Sequence, residues 1–173
     1  METQKVVIMT TGGTIEKSYN EFDGSLKNRQ SRLKNRLLAK LRLPHTTIEL
    51  IEVMAKDSLH MVEEDREQIW RKLSEQFNKK IPCVVLHGTD TMEVTAEYCY
   101  DHCPEPPVAV VFTGAMKPMG FEDSDAPQNF TEALAVCHVL KPGFYVSFHN
   151  RVFEVPRVQK NRRRRTFETK ESQ

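Results

Sequence analysis

Short apolar blocks alternate along this chain with longer stretches of helical period, and the switches between the two mark its elements. Residues 5–10 are a compact block containing Val6, Val7 and Ile8, the pattern of a strand buried on both faces. Residues 46–55 alternate apolar and acidic side chains through Ile48, Leu50 and Val53 and predict a strand with one wetter side. Residues 82–87, 107–113 and 144–148 predict three further strands. Between them, residues 63–79 carry Ile69, Trp70, Leu73 and Phe77 on one helical face, with acidic residues in the first turn where the helix dipole favours them. Residues 90–102 and 129–140 predict two more helices, the second stopped by Pro142 and Gly143. Leu33, Leu37, Leu38 and Leu41 recur at helical spacing among basic residues, an amphipathic helix ending near Pro44. The polar segments 16–26, 57–61 and 121–128 predict loops, and 149–159 a hairpin arm.

Strands alternating with helices predict an α/β fold of three layers, with a mainly parallel, Rossmann- or flavodoxin-like central sheet followed by the short hairpin arm. In such sheets ligands bind beyond the carboxyl ends of the strands. Those ends are where this chain concentrates its polar chemistry. Thr11, Gly12 and Gly13 close the first strand with a turn that favours positive φ and present Thr14 on a tight loop. Val84, Val85 and Leu86 run into His87 and Gly88 and then a hydroxyl–carboxylate pair, Thr89 and Asp90. Thr113, Gly114 and Ala115 end a third strand, and Ser58 and Leu59 follow a fourth. Asp90 has a plainer reading as well: with Glu93 three residues on, it matches a helix-capping box. Tyr19 falls five residues beyond Thr14, either as a cover over it or as an ordinary surface tyrosine.

Composition narrows the partners. At 173 residues the chain fits one domain. We divide it into a domain over residues 1–160 and a basic, flexible tail over 161–173 that holds Arg162, Arg163, Arg164 and Arg165. A net charge of +1 argues for neither nucleic acid nor a membrane surface, and a like-charge terminal run without interleaved aromatics reads as a solvated tail. No apolar run approaches membrane-helix length and no signal-peptide pattern opens the chain, so the expected compartment is the cytoplasm. Cys83, Cys99, Cys103 and Cys137 lack the paired short spacings of a zinc site and are expected reduced and mostly buried. The glycine patterns that cradle a dinucleotide or a nucleoside triphosphate are missing.

Three stretches in order carry a resemblance: Thr11-Gly12-Gly13-Thr14-Ile15, His87-Gly88-Thr89-Asp90-Thr91-Met92-Glu93 and Gly114-Ala115-Met116-Lys117-Pro118. They resemble the signatures of bacterial-type L-asparaginases over residues 6–160, the N-terminal catalytic domain of that family without its usual C-terminal one. The resemblance implies amidohydrolysis of L-asparagine to L-aspartate and ammonia, with Thr14 as nucleophile and a β-aspartyl ester as intermediate. It implies that Thr89, Asp90 and Lys160 form the group that moves the proton, the last on a looser local pattern. It further implies that Ser58 and Ala115 contact substrate, with Gly88, Thr89 and Asp90, that Tyr19 orients the nucleophile, that no metal or organic cofactor is needed, and that the protein is a homo-oligomer, a dimer or tetramer.

The chemistry of these residue types is compatible with those roles. A threonine hydroxyl needs a base within hydrogen-bond reach, and a lysine desolvated beside Thr89 is a candidate, since burial disfavours its charge. Backbone N–H groups near Gly88, Thr89 and Thr14 are candidates for an oxyanion hole, a feature typically contributing several kcal/mol. Two departures stand against this. Leu59 occupies a place where many relatives carry a polar residue that holds the substrate, and the acid supplied by the second domain has no counterpart. The alternative function is therefore a catalytically weak or inactive domain that binds an amino acid.

Overall fold

The computed structural model describes residues 3–19, 22, 26–28 and 37–171. A six-stranded sheet runs through the middle, built from β1 (Gln4–Gly12), β4 (Thr46–Lys56), β5 (Cys83–Leu86), β6 (Ala109–Thr113), β7 (Gly143–Phe148) and β8 (Arg151–Glu154) in the order β4-β1-β5-β6-β7-β8. All neighbours are parallel except β7 and β8. Among the described residues, three α-helices, α1 (Glu63–Ser74), α2 (Met92–His102) and α3 (Ala126–Val136), fill the crossovers from β4 to β5, β5 to β6 and β6 to β7. Numbered among themselves, the five parallel strands run 2-1-3-4-5, the flavodoxin-like order, whose switch point lies between the first and third. Those strands are β1 and β5.

Period-two alternation explains why the sheet sandwiches between two cores. Val7, Met9, Val85, Val110, Phe112, Val146 and Phe148 face one side, where Leu73 of α1 and Met92, Ala96 and Cys99 of α2 pack. Val6, Ile8, Val84, Leu86, Val111 and Tyr145 face the other, against Phe130, Ala133 and Leu134 of α3 and against Leu37. β5 and β6 are buried along their whole length, which is what an interior parallel strand requires. β4 is one edge strand and keeps Thr47, Glu49, Glu52 and Ala55 exposed, a wetter side that its acidic positions predict.

Several expectations change in detail. Residues 16–26 are not wholly loop: β2 (Lys17–Tyr19) pairs antiparallel with β3 (Leu26–Asn28), a ladder too short to leave a period in the sequence. Of the helix expected to end near Pro44, residues 29–36, Leu33 among them, lie outside the described residues; of the described part, Leu38–Lys40 is a 3-10 turn. The helix expected over 63–79 ends at Ser74 and resumes as a 3-10 turn, Phe77–Lys79. The helix expected to start at Asn129 begins at Ala126, with Pro127 in its first turn, where the missing N–H costs nothing. The hairpin arm is β8, added antiparallel to β7 across a turn in which His149 and Asn150 both have positive φ. Beyond it, β9 (Val158–Asn161) and β10 (Thr166–Thr169) form a second hairpin. The arginine run that the sequence places in a basic tail spans the turn of that hairpin, because Val158 and Phe167 are drawn into the core on the α2 face.

One buried group ties this fold to pH. His87 is wholly inaccessible; its Nδ1 lies 2.8 Å from the Gly88 carbonyl oxygen and its Nε2 has no partner among the described residues. Burial lowers its pKa from 6.5 to about 4, so the folded protein keeps the ring neutral where the unfolded chain protonates it. This contribution is complete above pH 6.5 and is lost as pH falls from 6.5 towards 4, amounting to about 3 kcal/mol at the acid end. Urea unfolding at pH 7.5 and 4.5 is expected to show that loss in the wild type and a flatter dependence in His87→Gln. Equal slopes in the two proteins would remove His87 as the cause.

Candidate active site

The site forms at the switch point because two glycines allow two strand ends to touch. Gly13 has φ 85°, and a Cβ on it would stand 2.4 Å from both the Cα and the N of Gly88. No larger residue fits either sterically or by backbone conformation. A Cβ on Gly88 would in turn meet the Ser58 hydroxyl at 2.4 Å, so Ser58, itself buried, packs directly on that glycine. Thr14 follows Gly13 and opens a 3-10 turn (Thr14–Glu16); Thr89 follows Gly88. The two hydroxyl-bearing residues therefore flank one backbone contact. Threonine hydroxyls lace the strand ends beneath: Thr11 donates to the Leu86 carbonyl at 2.9 Å and Thr113 to the Ser147 carbonyl at 2.8 Å.

Across this floor comes Lys160, near the end of β9. Its ammonium donates to Thr89 Oγ1 at 2.7 Å and to Asp90 Oδ1 at 2.8 Å, joining positions 71 and 70 residues apart. The Lys160 side chain is 10% exposed and Thr89 3%, so the pair sits in a largely water-excluded place. Thr89 Oγ1 donates onward to Met116 Sδ at 3.7 Å. Arg162 reaches the same Asp90 Oδ1 at 2.9 Å from outside, with its own side chain 67% exposed. Partial burial works to raise the Asp90 carboxyl, but the hydrogen bonds and charges of Lys160, then of Arg162, outweigh it and hold it below the ordinary range.

The capping reading of Asp90 does not survive. Thr91 is the N-cap of α2 and makes no side-chain cap bond there; its hydroxyl goes to the Ser58 carbonyl instead, at 2.9 Å. Asp90 spends its carboxylate on Lys160 and Arg162. Glu93, the other half of the expected box, lies against the Lys160 backbone, and burial raises its carboxyl above the ordinary range.

Of the residues singled out in the sequence, Thr89, Asp90 and Lys160 meet directly, and Gly88 and Ser58 pack beside them. Ala115 is wholly buried beyond the end of β6. Tyr19 and Leu59 are each 60% exposed, with most of their surface in solvent. Asp57, next to Ser58, accepts from Leu59 N at 3.1 Å and pairs with Lys17 at 2.6 Å, which fixes the 3-10 turn Ser58–His60.

A supporting network escaped the sequence reading. Asp125 Oδ2 accepts from Met116 N at 3.0 Å, Asn129 Nδ2 at 2.9 Å and His149 Nε2 at 3.1 Å, while Oδ1 accepts from Lys117 N at 2.9 Å. Asn129 also donates to the Gly114 carbonyl at 3.0 Å and accepts from His149 N at 3.1 Å. The 114–117 loop is thus clamped to the start of α3 and to the β7–β8 turn. An aspartate just before a helix-starting proline reads as a cap; here it is the N-cap residue, yet its side chain makes no cap bond. Arg162 stands in the turn just beyond β9, where no strand period sets its side, so its contact with Asp90 follows only from how the hairpin packs.

Among the described residues no three or more His, Cys, Asp or Glu are grouped as a metal ion would need. Cys83, Cys99, Cys103 and Cys137 are free, and burial pushes the thiols of Cys83, Cys99 and Cys137 up to about 12, which keeps them protonated at neutral pH. No described helix is long and apolar enough to cross a membrane.

These features define an α/β domain of flavodoxin-like order whose polar centre of threonine, lysine and aspartate lies at the switch point. The profile of the asparaginase N-terminal domain matches residues 5–172, and the chain belongs to that family. It is similar to an L-asparaginase of Thermococcus kodakarensis, 33% identical over 157 residues, which are 90% of this chain and 47% of that protein. It is also 28% identical to a probable periplasmic L-asparaginase of Haemophilus influenzae, over 90% of this chain and 46% of the relative. A match of 29% identity to L-asparaginase 1 of Escherichia coli covers 79% of this chain and 41% of that one. The solved structure of the thermostable L-asparaginase from Thermococcus kodakarensis superposes with a TM-score of 0.84 at 30% identity, covering 96% of this chain and 51% of that one. The chain thus spans about half the length of the first two of these curated relatives.

The glycine contact makes a direct prediction. Gly13→Ala is expected to lower stability by about 3 kcal/mol, from a forced positive φ and a backbone overlap that no rotamer relieves. Its urea midpoint should fall with an unchanged m-value, and a wild-type midpoint would contradict the packing described.

Proposed function

We propose that this domain hydrolyses the side-chain amide of L-asparagine to L-aspartate and ammonia. The observation that carries the reading is Lys160 bridging Thr89 and Asp90 at 2.7 and 2.8 Å beside the Gly13–Gly88 contact. Thr14 Oγ attacks the amide carbonyl carbon, its proton passes to the departing nitrogen, and the C–N bond breaks to release ammonia and leave a β-aspartyl ester on Thr14. A water then attacks the ester carbonyl, giving its proton back towards Thr14 as the C–O bond breaks. Thr89, held by Lys160, is the hydroxyl through which the proton moves, and Asp90 keeps Lys160 in place. Gly13 N already donates to the Lys56 carbonyl at 3.1 Å, so the oxyanion donors are assigned to the N–H groups of Thr14, Gly88 and Thr89. Ser58 and Asp90 hold the substrate's α-carboxylate and α-ammonium, and the Ala115 carbonyl receives its amide.

The same proposal includes a homo-oligomer and a cytoplasmic setting. β8 is an open sheet edge with Val152 39% exposed, a surface on which a second chain can pack, and the four free cysteines suit a reducing compartment. Tyr19 is placed in the nucleophile-orienting role on resemblance alone.

Ammonia release from L-asparagine is the test. The wild type is expected to be active, Thr14→Ala inactive, and Thr89→Val and Lys160→Met slower in kcat by about 10²–10⁴-fold. Full activity in Thr14→Ala would move the nucleophile elsewhere. Calorimetric binding of asparagine without any ammonia release would favour a binding domain, the reading that exposed Leu59 supports.

A further inference from the structure

Resting on the amidohydrolase reading, we propose that Arg162 is a specificity-determining residue that weakens the site's hold on an α-ammonium group and shifts its preference towards ω-amides of dicarboxylic acids that lack one. Asp90 has two cationic neighbours on a single oxygen. Lys160 occupies Oδ1 from within, and Arg162 occupies the same atom from the solvent side, at 2.8 and 2.9 Å. The exposures order them: 10% for the Lys160 side chain, 25% for Asp90 and 67% for Arg162. A free α-amino acid that places its ammonium on Asp90 therefore arrives at a carboxylate oxygen already shared by two cations, with the Glu93 carboxyl, its pKa raised by burial, as the other acidic group beside them.

An exposed ion pair is weak and its arginine can be pushed aside. The charge cannot leave, however, because the turn that bears it is pinned. Asn161 Oδ1 accepts from Arg164 N at 2.9 Å, Asn161 Nδ2 donates to Glu168 at 2.6 Å, and Phe167 and Val158 anchor the hairpin in the core. The displaced guanidinium remains within a few ångströms of the incoming ammonium, and like charges at that range lower affinity without touching the reacting carbonyl. A substrate with hydrogen or an acylated nitrogen in place of the ammonium meets no such repulsion. Its carboxylate gains from the same field.

L-Asparagine and succinamate separate these effects, since they differ only in the α-ammonium. At low ionic strength Arg162→Gln is expected to lower KM for L-asparagine about three- to tenfold, with kcat within about twofold, and to leave KM for succinamate unchanged or raised. Arg162→Lys, which keeps the charge, should stay near wild type, and added salt should lower the wild-type KM for asparagine towards that of Arg162→Gln. The binding ratio of the products, L-aspartate against succinate, is read by calorimetry on the same proteins and should move in the same direction. An asparagine-to-succinamate ratio that Arg162→Gln leaves unchanged, or moves towards succinamate, overturns the inference while turnover continues to support hydrolysis. If neither amide is hydrolysed but Arg162→Gln shifts the product ratio towards aspartate, the hydrolase reading falls and the role of Arg162 stands. If neither product binds, both fall.

Discussion

The backbone of Gly13 lies on the backbone of Gly88, and the arrangement of the site depends on that contact. Two parallel strands, β1 and β5, lead away to opposite sides at this point in the sheet, leaving a crevice between their ends. With side chains at both positions the crevice would be propped open, and the hydroxyl-bearing residues that follow each glycine would belong to separate loops. Without them, Ser58 packs on Gly88, Thr91 ties the start of α2 to Ser58, and Thr11 ties β1 to Leu86. The floor of the site is thereby made of backbone and short hydroxyl side chains, which hold position with few rotatable bonds.

The hairpin of β9 and β10 supplies what the floor lacks, a cation. Lys160 reaches Thr89 and Asp90 only because Val158 and Phe167 are drawn into the core on the α2 face. Hydrophobic burial at one end of the strand pair thus positions an ammonium at the other, in surroundings dry enough to strengthen its hydrogen bonds. The same placement brings Arg162 to Asp90, so one short element delivers both the inner partner of the carboxylate and an outer competitor for it.

Next to the hairpin, which it meets through His149 and Thr166, Asp125 organises the 114–117 loop. A single carboxylate that accepts two backbone N–H groups, an amide and an imidazole nitrogen leaves little freedom to the loop it holds. Its reach from the start of α3 to the β7–β8 turn couples three separate connections. Substrate-facing groups on the 114–117 loop would therefore be set by residues remote from any substrate.

The order of strands and helices, the burial of the parallel strands on both faces, and the polar strand ends were all legible in the chain. Each depends on local period and composition, which the backbone geometry of strands and helices converts directly into faces. Thr14, Thr89 and Asp90 were visible for the same reason, as hydroxyl and carboxylate groups beside glycines. What the pattern could not reveal was partnership. Whether Asp90 caps a helix or binds a lysine 70 residues away is decided by how a distant hairpin packs, and local propensity is indifferent between the two. The short ladder of β2 and β3, the Asp125 clamp and the turn formed by the arginine run have the same origin. Their energies come from contacts between elements brought together by the two cores, so only the tertiary structure determines them.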